Sequence, residues 1–303
     1  MNAPESLDPL GLRVFCAVAE SASFSQAGAR CGLTQSAASR HVQRLEAAFG
    51  AALFERTTRS VRLTAAGQFL LPHARRLLGD ADHTLRRLQE EFAGTARALR
   101  VGFSRSIGIS HLPGLLHAFE ARHADVRLEL QQATGAELLS RLEQRALDLV
   151  ICSEPARLPA GLERLHAFRD EFVFIAPARL GAPAAKSRPA RDLIKAWSGE
   201  RWLLPAASSG AGGEVREWLR RQGLRRHSGM EIDSFDVIAS LVVLGLGVSL
   251  APRRTMALFA RGRRPVVHSC RPRFVRRIAV VARKEQPRPP QVTAFVEAIL
   301  FRK

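Results

Sequence analysis

The chain has 303 residues, 46% apolar and 24% charged, enough for two or three compact units and too apolar for a broadly disordered polymer. A formal net charge of +18 suggests an anionic partner, nucleic acid or a membrane surface. The excess is uneven: residues 1–65 hold 7 cations against 5 anions, whereas residues 157–303 hold 28 against 12. Arg supplies nearly all the positive charge, so part of it is compositional bias.

Pro9 to Ala22 reads as a helix with Leu10, Val14 and Val18 as its inward stripe. A short helix fits Ser23 to Cys31, capped by Ser23 or Ser25, with Ala27 kept slim for packing. Gly32-Leu33 makes a tight turn, Thr34 caps a third helix running to Phe49, and Gly50 is its left-handed C-terminal residue. Two short helices, a Gly turn and a longer helix form the helix-turn-helix pattern. At 100° per residue, Val42, Leu45 and Phe49 fall within about 40° of Ala38, forming a core face. Ser36, Ser39, Arg40 and Gln43 lie opposite; their groups reach base edges and phosphates, although any solvated helix face is polar.

Ala51 to Phe54 and Val61 to Leu63 read as two short strands, a wing whose turn carries Arg56 and Arg59 as phosphate contacts. Thr64 caps a long helix, Ala65 to about Phe92, bent near Pro72. Its Leu70, Ala74, Leu77, Ala81, Leu88 and Phe92 follow a spacing of three and four, which suits helix pairing between subunits or packing on the chain's own core.

The run Phe15-x-x-Val18-Ala19-Glu20, Ser23-Phe24-Ser25-x-Ala27, Leu33-Thr34-Gln35-Ser36-Ala37-x-Ser39-x-x-Val42-x-x-Leu45-Glu46, Gly50-x-x-Leu53-Phe54-x-Arg56 and Leu63-Thr64-x-x-Gly67 resembles the N-terminal signature of LysR-type transcriptional regulators. Gly28 and Cys31 depart from it, standing where Ala and Leu are usual. The resemblance implies an α/β protein with a helical DNA-binding head: a winged helix-turn-helix (residues 1–65), a linker helix and hinge (66–96), and a two-lobed, periplasmic-binding-protein-like effector domain (97–303). Lobe I is expected over 97–161 and 271–303, and lobe II over 162–270. It further implies homodimers or homotetramers on an interrupted palindrome of double-stranded DNA. On this reading Ser23, Gln35, Ser36, Ser39, Arg40, Gln43, Arg56 and Arg59 meet DNA.

Beyond residue 97, a strand to Phe103, a helix Ile109–Arg122, a strand Val126–Gln131, a helix Glu137–Gln144 and a strand Leu147–Cys152 alternate as in a parallel α/β sheet. A second unit follows: strands 170–176 and 201–204, helices 214–222 and 235–244, a strand 248–251. A strand 277–282 and a helix 290–301 close the chain. Ligands in such sheets sit beyond the strand ends. That places Ser104, Arg105, Ser106, Thr134, Gly135 and Ser153 at the cleft from one lobe, and Ser208, Ser209, Gly210, Ser234 and Phe235 from the other. Serines at helix starts favour a small carboxylate effector, although each also reads as a plain cap, and Asp236 leaves room for a cationic or neutral one.

No enzyme is expected. Gly247-x-Ser249 and Gly108-x-Ser110 do not complete a nucleophile elbow, and HExxH and P-loop motifs are absent. Cys16, Cys31, Cys152 and Cys270 lack metal or redox spacing, so neither metal nor cofactor is expected. The N-terminus does not resemble a signal peptide, and the longest uncharged stretch, 238–252, is too short for a bilayer, which points to the cytoplasm with no membrane partner. The arginine doublets at 220–221, 225–226, 253–254, 263–264 and 276–277 either cover solvated surface or meet flanking DNA or an acidic partner such as RNA polymerase.

Overall fold

A computed structural model describes residues 8–56, 60–93, 97–181, 187–207, 211–224, 229–260, 263–285 and 287–300. The chain divides into a head and a larger effector unit, parted near residue 95. In the head, α1 (Pro9–Ser21), α2 (Phe24–Arg30) and α3 (Gln35–Phe49) precede strands β1 (Phe54–Arg56) and β2 (Val61–Leu63) and the long helix α4 (Ala65–Phe92). Each helix starts on a side-chain cap: Asp8 accepts from Leu10 N, Ser23 from Gln26 N, Thr34 from Ala37 N and Thr64 from Gly67 N. Ala22 and Gly50 take left-handed conformations at the ends of α1 and α3. Phe15 and Phe24 both pack on Phe54, with ring centroids 5.4 and 5.8 Å away, so the wing's first residue is pinned into the helical core.

Four sequence expectations shift. Leu10 and Phe49 are exposed, because α1 begins and α3 ends beyond the small head core; the inward stripe of α1 is Leu12, Val14, Phe15 and Val18. The first wing strand starts only at Phe54, since the amides of Leu53 and Phe54 are taken by the carboxylate of Glu46 on α3. The expected helix over 109–122 is two helices, α5 (Arg105–Ser110) and α6 (Leu112–Glu120), broken at His111. Pro113 has no N–H and its ring would strike the carbonyl four residues back. Gly28 has a packing reason: a Cβ there would lie 2.8 Å from Leu33 O and 3.1 Å from Thr34 O, so the turn into α3 comes too close for Ala.

The effector unit continues with β3 (Ala98–Phe103), β4 (Arg127–Gln132), α7 (Gly135–Glu143) and β5 (Leu149–Ser153), which together with α5 and α6 form the expected alternation. Strand β3 pairs in parallel with β4 and β5. Then come β6 (Leu162–Ala176), β7 (Arg188–Pro189), α8 (Ala190–Ala196), β8 (Trp202–Pro205), α9 (Gly212–Arg221), β9 (Gly229–Ile232), α10 (Phe235–Val243), β10 (Ser249–Pro252), a 3-10 turn (Arg253–Leu258), β11 (Val266–His268), β12 (Cys270–Arg271), β13 (Val275–Arg283) and α11 (Pro290–Leu300). The main sheet runs β10-β6-β13-β5-β3-β4, with β11 also on β6.

Strand β6 runs from one lobe into the other. From Leu162 to Glu171, β6 pairs with β13, whereas Phe172 to Ala176 pair with β10 and β11. The packing changes hands at the same place: Leu165 and Phe168 pack on the lobe I core, and Phe172 opens the lobe II core. The handover therefore lies at 171–172, later than the 162 that the sequence suggests. The early part of β6, Leu162-Glu163-Arg164-Leu165-His166-Ala167-Phe168-Arg169-Asp170-Glu171, lacks the strict apolar–polar alternation of a half-buried strand, which hides its strand character.

Candidate functional site

Two sites emerge, one in each unit. In the head, Ala38, Val42 and Leu45 are buried, which fixes the rotation of α3. Its opposite face presents Gln35, Ser36, Arg40 and Gln43 exposed and Ser39 half-buried. Thr34 Oγ1 and Ser36 Oγ share a hydrogen bond of 3.1 Å, so Ser36 is steered by the cap. Ser23 is itself the cap of α2. Arg56 lies against the helices rather than out on the wing: Nη1 donates to Ser39 Oγ at 3.0 Å and Nη2 to Glu46 Oε2 at 3.3 Å. Arg59 lies outside the described residues. Beyond the head core, α4 leaves Leu77, Leu85, Leu88 and Phe92 exposed along its length.

The second site lies where the lobes meet. Asp170 on β6 and Arg276 on β13 are register partners, both almost wholly buried, with Nη2 2.7 Å from Oδ2. Arg276 Nη1 donates to Ser106 Oγ of α5 at 3.0 Å, and its guanidinium lies over the Phe172 ring at 5.3 Å. Phe172 in turn meets Phe235, the first residue of α10, edge-on at 5.5 Å. This chain of contacts ties the start of α5 in lobe I to the start of α10 in lobe II. Ser104 and Ser234, the N-terminal flanking residues of those helices, are buried, make no cap bond and leave their hydroxyls without a partner in the chain. Asp170 Oδ1 and Asp236 Oδ1 are likewise buried without a hydrogen-bond partner. Burial pushes the Asp170 carboxyl above its ordinary value, and the opposing pull of Arg276 and Arg254 does not cancel it.

Of the other residues expected at the cleft, Arg105 is exposed, Ser153 ends β5 half-buried, and Gly135 opens α7. Thr134 is committed to its own helix: its N–H and hydroxyl donate to Glu137 Oε2 at 3.0 and 2.9 Å, a capping box. Ser208, Ser209 and Gly210 lie outside the described residues. Sequence reasoning missed Asp170, Phe172 and Arg276. Only a facing pair of opposite charges on two strands betrays them, and the strand register is invisible before folding.

The basic doublets are largely engaged. Arg220 and Arg221 share Glu217, Arg253 meets Glu171, Arg277 meets Glu154, and Arg264 donates to the Phe259 carbonyl. Arg276 is the buried partner just described, and residues 225–226 lie outside the described residues. Cys16, Cys152 and Cys270 are pushed up to about 11 by burial, which keeps them as thiols.

Residues 11–68 match the bacterial regulatory helix-turn-helix protein, lysR family, and residues 92–301 match the LysR substrate binding domain. The chain belongs to the LysR family of transcriptional regulators. Among relatives of this LysR-type regulator, the HTH-type transcriptional regulator CbbR of Rhodospirillum rubrum is 34% identical over 82% of this chain and 80% of its own. The uncharacterized HTH-type transcriptional regulator YfeR of Shigella flexneri is 31% identical over 91% and 87%. A full-length OxyR variant from Pseudomonas aeruginosa superposes with a TM-score of 0.73 at 25% identity, covering 98% of this chain and 96% of that one. Full-length CbnR in complex with its target DNA gives 0.69 at 25% identity over 97% and 99%. The chain is thus a DNA-binding regulator with an effector domain, not an enzyme. Among the described residues no helix is long and apolar enough to cross a membrane.

Proposed function

We propose that this regulator reads an interrupted palindrome as a homodimer or homotetramer, through Gln35, Ser36, Ser39, Arg40 and Gln43 of α3 and Arg59 of the wing. The observation that carries the reading is the rotation of α3, which buries Ala38, Val42 and Leu45 and turns a face free of Lys and Glu outward. The exposed apolar residues of α4 support pairing of linker helices, which sets the half-site spacing at one helical turn of DNA or a multiple.

The effector occupies the cleft between Ser104 and Ser234 and is a small carboxylate, which accepts from both hydroxyls. Asp236, with a buried oxygen lacking a partner, favours an effector that also carries an ammonium group, such as an amino acid. Occupancy favours one arrangement of lobes and subunits over another and so alters DNA bending.

Titrating the full chain at fixed salt against a duplex selected from a random library, and against its scrambled sequence, tests the DNA half. Preference for the selected duplex is expected; equal affinities overturn sequence-specific reading. Thermal-shift screening of small acids, amino acids and amines tests the effector half, with amines that lack a carboxylate as the class that should fail.

A further inference from the structure

Arg56 closes strand β1, at the edge of the wing, where its charge invites assignment to a DNA phosphate. Its surroundings point inward. The guanidinium lies 4.4 Å over the Phe24 ring, donates to Ser39 Oγ at 3.0 Å and to Glu46 Oε2 at 3.3 Å. Glu46 is itself a hub: its second oxygen accepts from Leu53 N at 2.8 Å and Phe54 N at 3.3 Å, the residues that lead into β1. Face and two edges of the fork are committed to three residues on two helices, a bidentate and stacked arrangement that Lys cannot reproduce.

This geometry bears on Ser39. A serine hydroxyl ordinarily serves DNA as donor or acceptor, and so discriminates weakly. Here a guanidinium occupies an acceptor lone pair, which polarises the hydroxyl toward donation. We infer that Arg56 is a positioning residue that locks the wing onto α3 and, by filling one of the two lone pairs of Ser39 Oγ, biases that hydroxyl toward donating to DNA, so that a base with an acceptor edge is preferred. Purine N7, guanine O6 and thymine O4 accept from it in the major groove, whereas cytosine, which offers the N4 amino group, meets only the remaining lone pair and is the least favoured. The inference rests on α3 being the DNA-reading helix.

The test uses the full chain, a duplex selected from a random library, and variants of that duplex carrying each base at each position. Arg56→Lys keeps the charge and loses the fork. It should bind the selected site about tenfold more weakly, with an unchanged salt slope, and lose its discrimination against cytosine at one base pair. Ser39→Ala should flatten the same base pair, and adding Arg56→Lys to it should change little more there. Glu46→Gln, which loosens the grip on Arg56 from the other side, should flatten that pair too, and carries the test together with Ser39→Ala if Arg56→Lys does not fold.

If Arg56→Lys binds as the parent does while Arg56→Ala lowers the salt slope by about one, Arg56 is a phosphate contact and the inference fails. It fails equally if affinity drops uniformly at every base position, which is what simple loosening of the head produces. A parent chain that binds selected and scrambled duplexes alike overturns the α3 reading itself, a distinct result.

Discussion

The head and the effector unit use the same residue types at helix starts and treat them in opposite ways. Asp8, Ser23, Thr34 and Thr64 each close a hydrogen bond to an early amide of the helix they open. Ser104 and Ser234 stand in the same position and make no such bond, although both are more deeply buried. A second contrast runs parallel to it inside the effector unit. Asp148 in lobe I accepts from Arg100 N, Nε and Nη2, so both of its oxygens are used. Asp170 leaves one oxygen without a hydrogen-bond partner beside Arg276. Burial works against the charged form of both. At Asp148 the bonds and charges of Arg100 and Arg283 outweigh it, and the carboxyl ends below its ordinary value; at Asp170 they do not. A buried polar group without a partner costs stability, so its retention calls for another use. On the proposed reading, completed polar chemistry marks scaffold, and incomplete chemistry marks the place where the effector would complete it.

Asp148→Asn should break this contrast most severely. It leaves Arg100 buried and uncompensated, at an expected cost of about 3–5 kcal/mol in urea unfolding of the full chain near neutral pH. Because the folded-state carboxyl sits below its ordinary 3.8, its contribution is present above that value and is lost as pH falls through the lower folded one. The gap between parent and variant should therefore narrow in acid below pH 3.8. Asp170→Asn should cost less near neutral pH, since the native fold already disfavours that charge; equal losses would remove the distinction between the two pairs.

Smaller effects separate the two kinds of cap. Thr34→Ala should destabilise the head by about 1 kcal/mol, read as a lower melting temperature. Ser104→Ala and Ser234→Ala should leave folding unchanged within about 0.5 kcal/mol, because no cap bond is lost. The same two variants should abolish the thermal shift produced by whichever small acid stabilises the parent. A loss of stability matching Thr34→Ala would make them ordinary caps.

Much of the head is legible in the sequence because its signals are local. Thr34, the 3.6-residue recurrence of Ala38, Val42 and Leu45, and Gly50 each act within a few residues, and the helix follows. Arg56 is not legible in that way. Its partners Ser39, Glu46 and Phe24 are far apart in sequence, and a phosphate contact is the natural reading of a wing arginine until the fold brings them together. The same applies at the cleft. Ser104 and Ser234 are found by where strands end and helices begin, whereas Asp170 and Arg276 meet across strands more than a hundred residues apart. The crossing strand β6 hides for a related reason: Glu163, Arg164 and Asp170 find partners of opposite charge on neighbouring strands and loops, so it carries charge that an isolated strand would not.

The aromatic residues of lobe II have a spectroscopic consequence. Trp197 and Trp202 lie 6.3 Å apart, each within contact of Phe174, and Trp218 joins the same cluster through Phe174 and Phe274. Phe274 stacks edge-on against Phe172, the ring beneath Arg276. These are all three tryptophans of the chain, and tyrosine is absent. Intrinsic emission excited near the indole band therefore originates wholly in lobe II, one ring removed from the cleft floor. If the effector binds as proposed, the protein carries its own label for its occupancy, while the head is dark and leaves that signal uncontaminated.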